Sequence, residues 1–452
     1  MPTTLNIIIL AAGKGTRMKS NKLKVLHPLA GSTIIDHVLQ TAQQLSPSKI
    51  IMVYGHQGEQ LREHFVDEKI TWVEQKNPQG TGHAVQQALP FIDDDAQVLI
   101  LVGDAPLIQV ADLKKLLIFP QIVLTAKLSH PFGYGRIIKN TQGLVESIVE
   151  EKDANNEQKK VDEINSGIIL APANSLKKWL SEINNNNAQG ELYLTDILAL
   201  AHSDDKSFNT VQVMDNTSIK GINDRVQLAE CETLRQSQLT QELMLQGVYL
   251  PSPSTVQIRG HITCGQDIMI DAGVVLEGNI EIADDVVIGA YSIIQNCKLG
   301  KGTRIAPHSM LEEVITKGEC DIGPFARLRP GTHVGKYAKV GNFVETKKTT
   351  IGDYSKASHL SYLGDCEIGQ HVNIGAGTIT CNYDGVNKFK TIIEDEVFIG
   401  SDTQLIAPVT VGKGATIGAG TTLTKDAEPD KLTISRTKQR TVENWQKPTK
   451  NK

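Results

Sequence analysis

A six-residue repeat runs through the C-terminal half of this chain and limits what that half can fold into. From Ile322 the sequence reads IGPFAR, LRPGTH, VGKYAK and VGNFVE, and from Ile393 it reads IEDEVF, IGSDTQ, LIAPVT, VGKGAT and IGAGTT. A period of six matches neither an α-helix nor an alternating strand. It predicts a parallel β-helix, in which each aliphatic residue points towards the axis and each hexapeptide forms one short side of a coil. Binding sites in this half must then lie on the outside of the coil or between copies of the chain.

The overall composition excludes several classes of protein. A net charge of −5 and the lack of a dense basic run argue against nucleic-acid binding. The longest N-terminal apolar run, residues 5–12, is too short to span a membrane and has no basic segment before it, so we expect neither a signal peptide nor membrane insertion. The six cysteines form no CxxC pair, which indicates reduced thiols in a cytoplasmic protein rather than a zinc site or a disulfide framework.

The N-terminal half, residues 1–224, alternates strand-like and helix-like segments. NIIIL from Asn6, KIIMVY from Lys49 and QVLILV from Gln97 are continuous apolar runs, which are typical of strands buried on both faces. Each run is followed by a turn that contains glycine. We therefore predict an α/β domain with a Rossmann-like, mainly parallel sheet whose ligands bind at the carboxyl ends of the strands.

Two further segments complete the predicted organisation. Residues 224–245 contain few turn residues and predict one long helix within a linker of residues 225–250, with Asp224 as its N-cap and Gly247 at its end. The β-helix domain and a polar C-terminal tail then occupy residues 251–452. A polar loop, CNYDGVNKFK, interrupts the hexapeptides between Thr380 and Thr391 and is expected to protrude.

The segment LAAGKGTRM, which follows the first predicted strand, has the composition of a phosphate-binding turn. Its glycines let backbone amides approach phosphate oxygens, and Lys14, Arg17 and the downstream Lys24 supply positive charge. It is not a Walker loop, because Gly15 is followed by Thr-Arg rather than by Lys-Ser or Lys-Thr. A plain strand-to-helix turn with solvated basic residues is the alternative interpretation.

Further motifs follow in order and resemble those of a known family. They are QKNPQGTGH from Gln75, Gly103-Asp104, GYGR from Gly133, EEK from Glu150, NSG from Asn165 and GIND from Gly221. Together with LAAGKGTRM they resemble the motifs of the sugar-nucleotide pyrophosphorylases. With the hexapeptide repeats attached, nearly the whole chain resembles the bacterial bifunctional enzymes that combine UDP-N-acetylglucosamine pyrophosphorylase and glucosamine-1-phosphate N-acetyltransferase activities.

This resemblance implies a two-step synthesis of UDP-N-acetylglucosamine. The C-terminal domain is expected to transfer an acetyl group from acetyl-CoA to glucosamine 1-phosphate. The N-terminal domain is expected to transfer UMP from UTP to the acetylated sugar phosphate, with Mg²⁺, and to release pyrophosphate. The resemblance also implies a left-handed coil, a homotrimer, and a cytoplasmic role in supplying peptidoglycan and lipopolysaccharide (lipid A) precursors.

For the N-terminal site, the resemblance assigns Arg17 and Lys24 as catalytic cations and Asp104 with Asn223 as ligands of Mg²⁺, an ion that prefers oxygen ligands. The side-chain amide of Gln75 carries both the donor and the acceptor that a uracil needs. The nucleophile is a phosphate oxygen that is already an anion, so no protein base is required. The residues expected to contact UTP or UDP-N-acetylglucosamine are Leu10, Ala11, Ala12, Gly13, Lys14, Lys24, Gln75, Gly80, Thr81, Gly135, Glu150, Asn165, Tyr193, Thr195 and Asn223.

For the C-terminal site, the resemblance assigns His359 as the general base, and imidazole titrates in a suitable range for that role. Glu345 is expected to orient His359 or to raise its basicity. The expected ligands of glucosamine 1-phosphate are Arg329, Lys347, Tyr362, Asn373 and Lys388. The expected acetyl-CoA contacts are Ala376, Asn382, Tyr383, Ser401, Ala419 and Arg436. In the family these sites belong to clefts between neighbouring chains of a trimer.

Each of these residues also has a simpler interpretation. Asp104 is equally suited to cap a helix, Glu150 to a solvated charge cluster and His359 to an ordinary surface position. A β-helix can also be only a trimerising or regulatory scaffold attached to a pyrophosphorylase. The order of the N-terminal motifs favours a catalytic role, and His359, the polar loop and Arg436 favour an acetyltransferase over a scaffold.

Overall fold

In this computed structural model, the structure describes residues 4–13, 15–55, 58–66 and 68–450. The chain forms two compact units, Met1–Arg235 and Gln236–Lys452. The division between them lies inside the long helix at Arg225–Leu245, which the sequence analysis placed in a separate linker.

The N-terminal unit is built round a twisted, mixed sheet in the order β11-β7-β10-β6-β1-β4-β5. Its strands are β1 (Leu5–Ala11), β2 (Pro28–Leu29), β3 (Ser32–Thr33), β4 (Lys49–Tyr54), β5 (Thr71–Glu74), β6 (Gln97–Val102), β7 (Ile122–Lys127), β8 (Arg136–Lys139), β9 (Val145–Val149), β10 (Glu163–Pro172) and β11 (Asn209–Gln212). Its helices are α1 (Ile34–Gln43), α2 (Glu59–His64), α3 (Thr81–Ala88), α4 (Val110–Leu116), α5 (Ala173–Glu182) and α6 (Ile197–Ser203).

The central strands of this sheet are parallel, as the continuous apolar runs predicted. β1 pairs in parallel with β4 and β6, and β4 pairs in parallel with β5. The carboxyl ends of these four strands therefore meet at one edge. β10 runs antiparallel to β6 and β7, and it carries the β8–β9 hairpin on its side.

Both faces of the sheet are buried. Along β1, Ile7 and Ile9 pack into one core with side chains of α1 and α4, such as Val38 and Leu113. Ile8 packs into the opposite core with side chains of α3, α5 and α6. This two-sided burial is the reason why the strand sequences are apolar without alternation.

The C-terminal unit is a parallel β-helix of short strands, as the hexapeptides predicted. The strands are β12 (Gln257–Cys264), β13 (Met269–Ile270), β14 (Val275–Ile282), β15 (Val287–Ile288), β16 (Ile293–Gln295), β17 (Lys298–Leu299), β18 (Arg304–Ile305), β19 (Met310–Glu312), β20 (Val314–Thr316), β21 (Asp321–Ile322), β22 (Arg327–Leu328), β23 (Thr332–Val334), β24 (Lys339–Asn342), β25 (Glu345–Ile351), β26 (Lys356–His359), β27 (Tyr362–Ile368), β28 (Asn373–Ile374), β29 (Ile379–Cys381), β30 (Thr391–Ile393), β31 (Phe398–Ile399), β32 (Gln404–Ile406), β33 (Val409–Val411), β34 (Thr416–Ile417), β35 (Thr422–Leu423) and β36 (Leu432–Thr433).

The coils have the period that three hexapeptides require. Val275 pairs with Ile293, and Ile293 pairs with Met310, so that successive coils advance the chain by 18 and then 17 residues. The aliphatic residues that open the hexapeptides are buried: Ile322, Leu328, Val334 and Val340 in one run, and Ile393, Ile399, Leu405, Val411 and Ile417 in the other. These side chains form one continuous apolar core, so functional groups can only be carried on the outside.

The long helix α7 (Arg225–Leu245) has the predicted ends. The Asp224 carboxylate accepts a hydrogen bond of 2.9 Å from the Gln227 amide, which is the geometry of an N-cap. Gly247 has a φ of +100°, and the Val248 amide closes the last turn by donating to the Leu243 carbonyl over 3.0 Å. No helix among the described residues is long and apolar enough to cross a membrane.

Candidate active sites

The carboxyl edge of the N-terminal sheet brings together three of the predicted motifs. The Gly103 amide, after β6, donates to the Leu10 carbonyl at the end of β1 over 2.9 Å. The Gln75 amide, after β5, donates to the Tyr54 carbonyl at the end of β4 over 2.8 Å. Segments distant in sequence are thus joined backbone to backbone at the mouth of the sheet.

A cavity of about 280 Å³ opens at this edge. It is lined by Leu10, Ala11, Ala12, Gly13, Lys24, Val25, Gln75, Pro78, Gly80, Thr81, Ala84, Val102, Asp104 and Glu191. Most of these residues were predicted from the sequence to contact the nucleotide or the metal. The cavity therefore unites the phosphate-binding turn, the QGTG motif and the aspartate after β6.

Lys24 is the charged centre of this cavity. Its side chain is 9% exposed, and its ammonium lies 2.5 Å from Asp104 Oδ2 and 3.1 Å from Asn223 Oδ1. Gly15 allows this placement: its φ is +58°, and a Cβ there would come within 2.6 Å of Lys24 Cβ. The glycine-rich turn therefore packs directly on the stem of the lysine.

Asp104 and Asn223 have the chemistry of a Mg²⁺ site. A carboxylate oxygen and an amide oxygen converge on one point, and in this structure the Lys24 ammonium stands there as the cation. Two protein oxygens with phosphate oxygens are a usual set for Mg²⁺. The residues present therefore fit the metal, although no cluster of three or more His, Cys, Asp or Glu side chains with metal-binding geometry exists among the described residues.

The base-recognition motif is held more tightly than the sequence suggested. Gln75 is 3% exposed, and its side-chain nitrogen donates to the Gly80 carbonyl over 3.1 Å and contacts His83 Nδ1 at 2.9 Å. Gly80 has a φ of +116°, and a Cβ there would come within 2.5 Å of the Leu192 carbonyl oxygen. The donor that we expected Gln75 to offer a uracil carbonyl is thus already engaged within the protein.

The residues predicted to hold the sugar meet beside this motif. A Cβ on Gly135 would lie 2.9 Å from Ile148 Cγ2 and 3.2 Å from Glu150 Oε1, so the glycine leaves room beside that carboxylate. Thr195 Oγ1 donates to Glu150 Oε1 over 3.2 Å, and the Asn165 amide donates to the Gly135 carbonyl over 2.9 Å. Burial raises the pKa of the Glu150 carboxyl, and the hydrogen bond from Thr195 opposes that rise.

One short segment links the base motif to the sugar motif. The Leu194 amide donates to Thr81 Oγ1 over 3.0 Å, one residue before Thr195 and one after Tyr193. The Tyr193 side chain is buried, and its hydroxyl lies 3.4 Å from Asp153 Oδ2. Of the two other predicted cations, Arg17 is exposed, and Lys14 lies outside the described residues.

On the β-helix, His359 lies on the outer face at the end of β26 and is exposed. Its Nδ1 lies 2.9 Å from Oδ1 of Asn342, the paired residue on the preceding coil. With the Asn342 amide oxygen facing the ring, the neutral imidazole has its proton on Nδ1 and its lone pair on Nε2. Glu345, which we expected to orient His359, pairs with Arg329 at 2.8 Å. Within this chain, the His359 ring contacts Asn342, the residue in register with it on the preceding coil.

The residues predicted to bind glucosamine 1-phosphate begin on the same coil. Leu360, with a φ of +45°, turns the chain between His359 and Tyr362. Tyr362 pairs with Glu345 on the preceding coil, and Asn373 follows on the next.

Cationic side chains gather near this face. The ammonium of Lys388, followed by the guanidinium of Arg329, lowers the pKa of Lys347. Like charges held close together favour an anion between them. Lys347 and Lys388, with Arg329 beside them in its ion pair with Glu345, therefore form a candidate phosphate site.

The interrupting loop folds back over this cationic group. Asn382 is buried, and its side-chain amide donates to Asp365 Oδ2 over 2.6 Å. Tyr383 is exposed, and its backbone forms a bridge with Lys388 across the loop. The loop thus brings Lys388 to Lys347 although the two are separated by more than two coils in sequence.

The residues predicted for acetyl-CoA continue the column that His359 begins. Gly377, Asp402 and Gly420 donate backbone hydrogen bonds to the preceding coil, and they follow directly after Ala376, Ser401 and Ala419. At the end of the column Arg436 Nε donates to the Ala419 carbonyl over 3.0 Å. The small side chains leave the outer face of the coil open beside the histidine.

Three groups of site-forming residues were not found from the sequence. Asn342 precedes His359 by one coil, which only the 17-residue pairing identifies. His83, together with Gln87, was overlooked although it belongs to the quoted QGTGH motif. Arg136 is 2% exposed, and it pairs with Glu151 at 2.6 Å between the two sugar motifs.

Two family models match this chain in the places where the structure shows the two folds. Residues 7–119 match the MobA-like NTP transferase domain, and residues 390–425 match the bacterial transferase hexapeptide model of six repeats. The fold and the sites therefore define a two-part transferase, a nucleotidyltransferase joined to a hexapeptide-repeat transferase.

Relatives at high identity extend over the whole chain. The chain is 51% identical over 450 residues to the bifunctional protein GlmU of Janthinobacterium sp. (strain Marseille), covering 99% of both sequences. It is 49% identical to the bifunctional protein GlmU of Azoarcus sp. (strain BH72), covering 99% of this chain and 100% of that protein. Among solved structures, UDP-glucose pyrophosphorylase complexed with UDP-glucose matches 52% of this chain and 100% of its own, at 18% identity and a TM-score of 0.44.

The chain belongs to the family of bifunctional GlmU proteins. It is a bifunctional transferase that makes UDP-N-acetylglucosamine, with an N-acetylglucosamine-1-phosphate uridyltransferase and a glucosamine-1-phosphate N-acetyltransferase activity. Both predicted activities are thereby confirmed at the level of the family, and the interpretation of the β-helix as a mere scaffold loses its support.

Proposed function

We propose that the cavity at the carboxyl edge of the N-terminal sheet is the uridylyl-transfer site. The observation that carries this proposal is the buried Lys24 ammonium between Asp104 and Asn223. A lysine and two oxygen ligands at the end of a glycine-rich turn form a cradle for phosphates and their counter-ion.

In this site a phosphate oxygen of N-acetylglucosamine 1-phosphate attacks the α-phosphorus of UTP. The new P–O bond forms as the bond to the β-phosphate oxygen breaks, and pyrophosphate leaves. Lys24, together with Arg17 and Lys14, offsets the charge that builds on the phosphate oxygens. Asp104 and Asn223 would hold Mg²⁺, which supplies further neutralisation of the triphosphate when bound. Since the nucleophile is already an anion, the protein only needs to position the reactants.

The sugar of the acceptor binds beside the base motif. The Glu150 carboxylate accepts hydrogen bonds from sugar hydroxyls, and Gly135 leaves it accessible. Asn165, Tyr193 and Thr195 complete the wall, and the segment that contains Tyr193 and Thr195 also contacts Thr81. A shared segment of this kind would keep the sugar and the base at a constant separation.

We propose that His359 is the base for acetyl transfer on the β-helix. With Nδ1–H donated to Asn342, the Nε2 lone pair accepts the proton of the glucosamine amine. The amine nitrogen forms a bond to the thioester carbonyl carbon, the C–S bond breaks, and His359 returns the proton to the leaving thiolate. Asn382 and Tyr383, on the interrupting loop, approach the amine and the thioester, and the column from Ala376 supports the pantetheine chain.

The substrate phosphate is held by the cationic group of Arg329, Lys347 and Lys388. Tyr362 and Asn373 supply hydrogen bonds for the sugar hydroxyls. Arg436, at the far end of the column, provides a cation for a phosphate of CoA.

We infer that the enzyme is a homotrimer, with three acetyl-transfer sites shared between chains. His359, Ser401 and Arg436 are exposed on the outside of the coil, where one chain offers only one wall. A neighbouring copy would close the cleft and exclude water. Size-exclusion chromatography with light scattering tests this inference, and a monomer with full acetyltransferase activity would refute it.

We also infer that the enzyme works in the cytoplasm, where UTP and acetyl-CoA are available. The described cysteines are all free thiols, which suits a reducing compartment.

A split assay tests the two site assignments separately. One arm supplies glucosamine 1-phosphate and acetyl-CoA and follows free thiol; the other supplies N-acetylglucosamine 1-phosphate, UTP and Mg²⁺ and follows pyrophosphate. We expect Asp104→Ala to lose the pyrophosphate signal and to keep the thiol signal. Unchanged Mg²⁺-dependent activity in Asp104→Ala would contradict the uridylyl-transfer site. Pyrophosphate without thiol in the wild type would return the β-helix to the role of a scaffold.

A further inference from the structure

The orientation of the Gln75 side-chain amide is determined by its neighbours. The Gly80 carbonyl oxygen can only accept a hydrogen bond, so the Gln75 atom 3.1 Å from it must be the nitrogen. The same nitrogen lies 2.9 Å from His83 Nδ1. Both hydrogens of the Gln75 amide are therefore directed at protein groups, which leaves its oxygen as the part that can meet a ligand.

This arrangement also determines the tautomer of His83. An Nδ1 atom that accepts from Gln75 cannot carry a proton, so the proton of the neutral ring is on Nε2. Gln87, one helical turn further along α3, lies with its side-chain amide 3.2 Å from His83 Nε2. Rotating the Gln87 amide group by 180° exchanges its oxygen and its nitrogen and moves no other atom appreciably. The Gln87 oxygen then accepts a hydrogen bond from His83 Nε2–H. A chain of hydrogen bonds thus runs from Gln87 through His83 to Gln75.

We propose that His83, supported by Gln87, fixes the Gln75 amide so that the enzyme selects a nucleobase with a hydrogen on N3, as in uracil, against cytosine. This inference rests on the proposed uridylyl-transfer site. In it, Gln75 touches the base, and His83 is a positioning residue that acts through Gln75. Gln75 lines the cavity and is almost wholly buried, so its oxygen is presented from a rigid wall.

The chemical difference between the two bases is suited to this readout. Uracil offers N3–H as a donor, whereas cytosine offers an unprotonated N3 as an acceptor. An amide that was free to turn would serve either base, by presenting its oxygen to uracil or its NH₂ to cytosine. An amide held by His83 presents only the oxygen, and cytosine then leaves two acceptors facing each other. An unpaired buried polar group costs about 1–3 kcal/mol, equivalent to roughly 5- to 150-fold in relative rate.

The surroundings of His83 favour the neutral ring that this role needs. Burial lowers the pKa of His83 below its ordinary value. A protonated ring would direct Nδ1–H at the hydrogens of the Gln75 amide and would favour the opposite amide orientation. The neutral form avoids that repulsion.

The test compares kcat/KM for UTP and for CTP in the full-length enzyme, at saturating N-acetylglucosamine 1-phosphate, by release of pyrophosphate. His83→Ala removes the acceptor, and we expect the UTP-to-CTP ratio to fall about tenfold or more, mainly through a gain with CTP. His83→Asn is the conservative variant, because its side-chain oxygen can accept near the position of Nδ1. We expect it to restore most of the ratio.

Gln87→Ala and Gln86→Ala form a matched pair on the same helix. Gln87→Ala should lower the UTP-to-CTP ratio severalfold, because the tautomer of His83 loses its support. Gln86 donates instead to the Leu180 carbonyl over 2.5 Å, so Gln86→Ala should keep the wild-type ratio. Thermal unfolding of all four variants shows which of them are folded. If His83→Ala does not fold, Gln87→Ala and His83→Asn still test the inference.

Two results would overturn the inference. One is a folded His83→Ala enzyme with the wild-type UTP-to-CTP ratio; the other is an equal loss with both nucleotides, which is the mark of a merely structural histidine. Absence of pyrophosphate release from the wild type with either nucleotide would overturn the uridylyl-transfer assignment itself, and this inference with it.

Discussion

The two units of this enzyme build their sites in opposite ways. In the N-terminal unit, the segments after the parallel strands β1, β5 and β6 bring Lys24, Gln75 and Asp104 to one edge, and Asn223, almost 200 residues after Lys24, meets the Lys24 ammonium there. In the β-helix, each coil adds one residue to a column, so Asn342 and His359 meet because they are one coil apart. A sheet edge can therefore enclose a ligand within one chain, whereas a solenoid presents functional groups on an open face.

This difference predicts different kinds of sensitivity. Buried groups of the N-terminal cavity depend on packing and on the pKa shifts that burial causes. Groups on the β-helix depend on their neighbours along the column and on salt.

His359→Ala should lower kcat/KM for acetyl transfer by about 100- to 10,000-fold, because a positioned general base typically contributes that much. Uridylyl transfer should not change. His333→Ala is the matched control, since His333 is also an exposed histidine on the β-helix but belongs to another column. Acetyl transfer at the wild-type rate in His359→Ala would show that the base is another group.

Lys24→Met should lower kcat/KM for uridylyl transfer by about 100-fold or more, since a preorganised charge at the developing phosphate charge is lost. Methionine keeps most of the stem that packs on Gly15, so the turn should remain folded. The pyrophosphate assay measures the effect, and the thiol assay on the same preparation is the internal control. A variant with less than a fivefold loss would place the essential cation elsewhere.

Lys347→Gln should raise KM for glucosamine 1-phosphate about tenfold, with a smaller change in kcat, because the lysine binds the phosphate away from the reacting amine. The KM of the wild type for this substrate should also rise more steeply with ionic strength than the KM for UTP. Exposed charges are screened over a Debye length of about 8 Å at physiological salt, and buried charges much less. Equal salt dependence of the two KM values would contradict the contrast between an open and an enclosed site.

Asp196→Asn should raise the thermal stability of the N-terminal unit at pH 8 and should have a much smaller effect near pH 4. Burial, with a smaller contribution from Asp153, raises the pKa of Asp196 from 3.8 to about 6. The unfolded chain releases this proton above pH 3.8 and the folded protein only above about pH 6, so the cost of the carboxyl grows between these values and is complete above pH 6, whereas asparagine carries no such cost. Unfolding temperatures of both proteins across this pH range measure the effect, and a difference that does not vary with pH would contradict it.

The success of sequence reasoning also differs between the two units. In the β-helix, the inward residues could be identified one by one. The repeat of six marks each of them in the sequence, and all of them pack into one core along the axis of the coil. In the N-terminal unit the strands were predicted correctly, because apolar runs and glycine turns are local signals. Which of the two faces each helix covers was not predictable, since that depends on crossovers between distant segments.

Two side chains have partners that the sequence did not indicate, and register or a neighbouring element sets each of these partners. Glu345 was expected to orient His359; it pairs with Arg329, and the His359 ring contacts Asn342. Gln75 was expected to offer both its donor and its acceptor to a base, but its donor is already taken by Gly80 and His83. No sequence pattern predicts such contacts, because they depend on atomic positions to a fraction of an ångström.

The sequence by itself determined the two architectures, the identity of the motifs and the family to which the chain belongs. These follow from periodicity and from residue types at short spacing, which do not depend on long-range geometry. The tertiary structure alone decided that the Lys24 ammonium lies between Asp104 and Asn223, that the His359 ring contacts Asn342 while Glu345 pairs with Arg329, and that the Gln75 amide contacts His83. The physical reason is that hydrogen bonds and ion pairs require particular distances and directions, and only the folded chain brings distant residues into them.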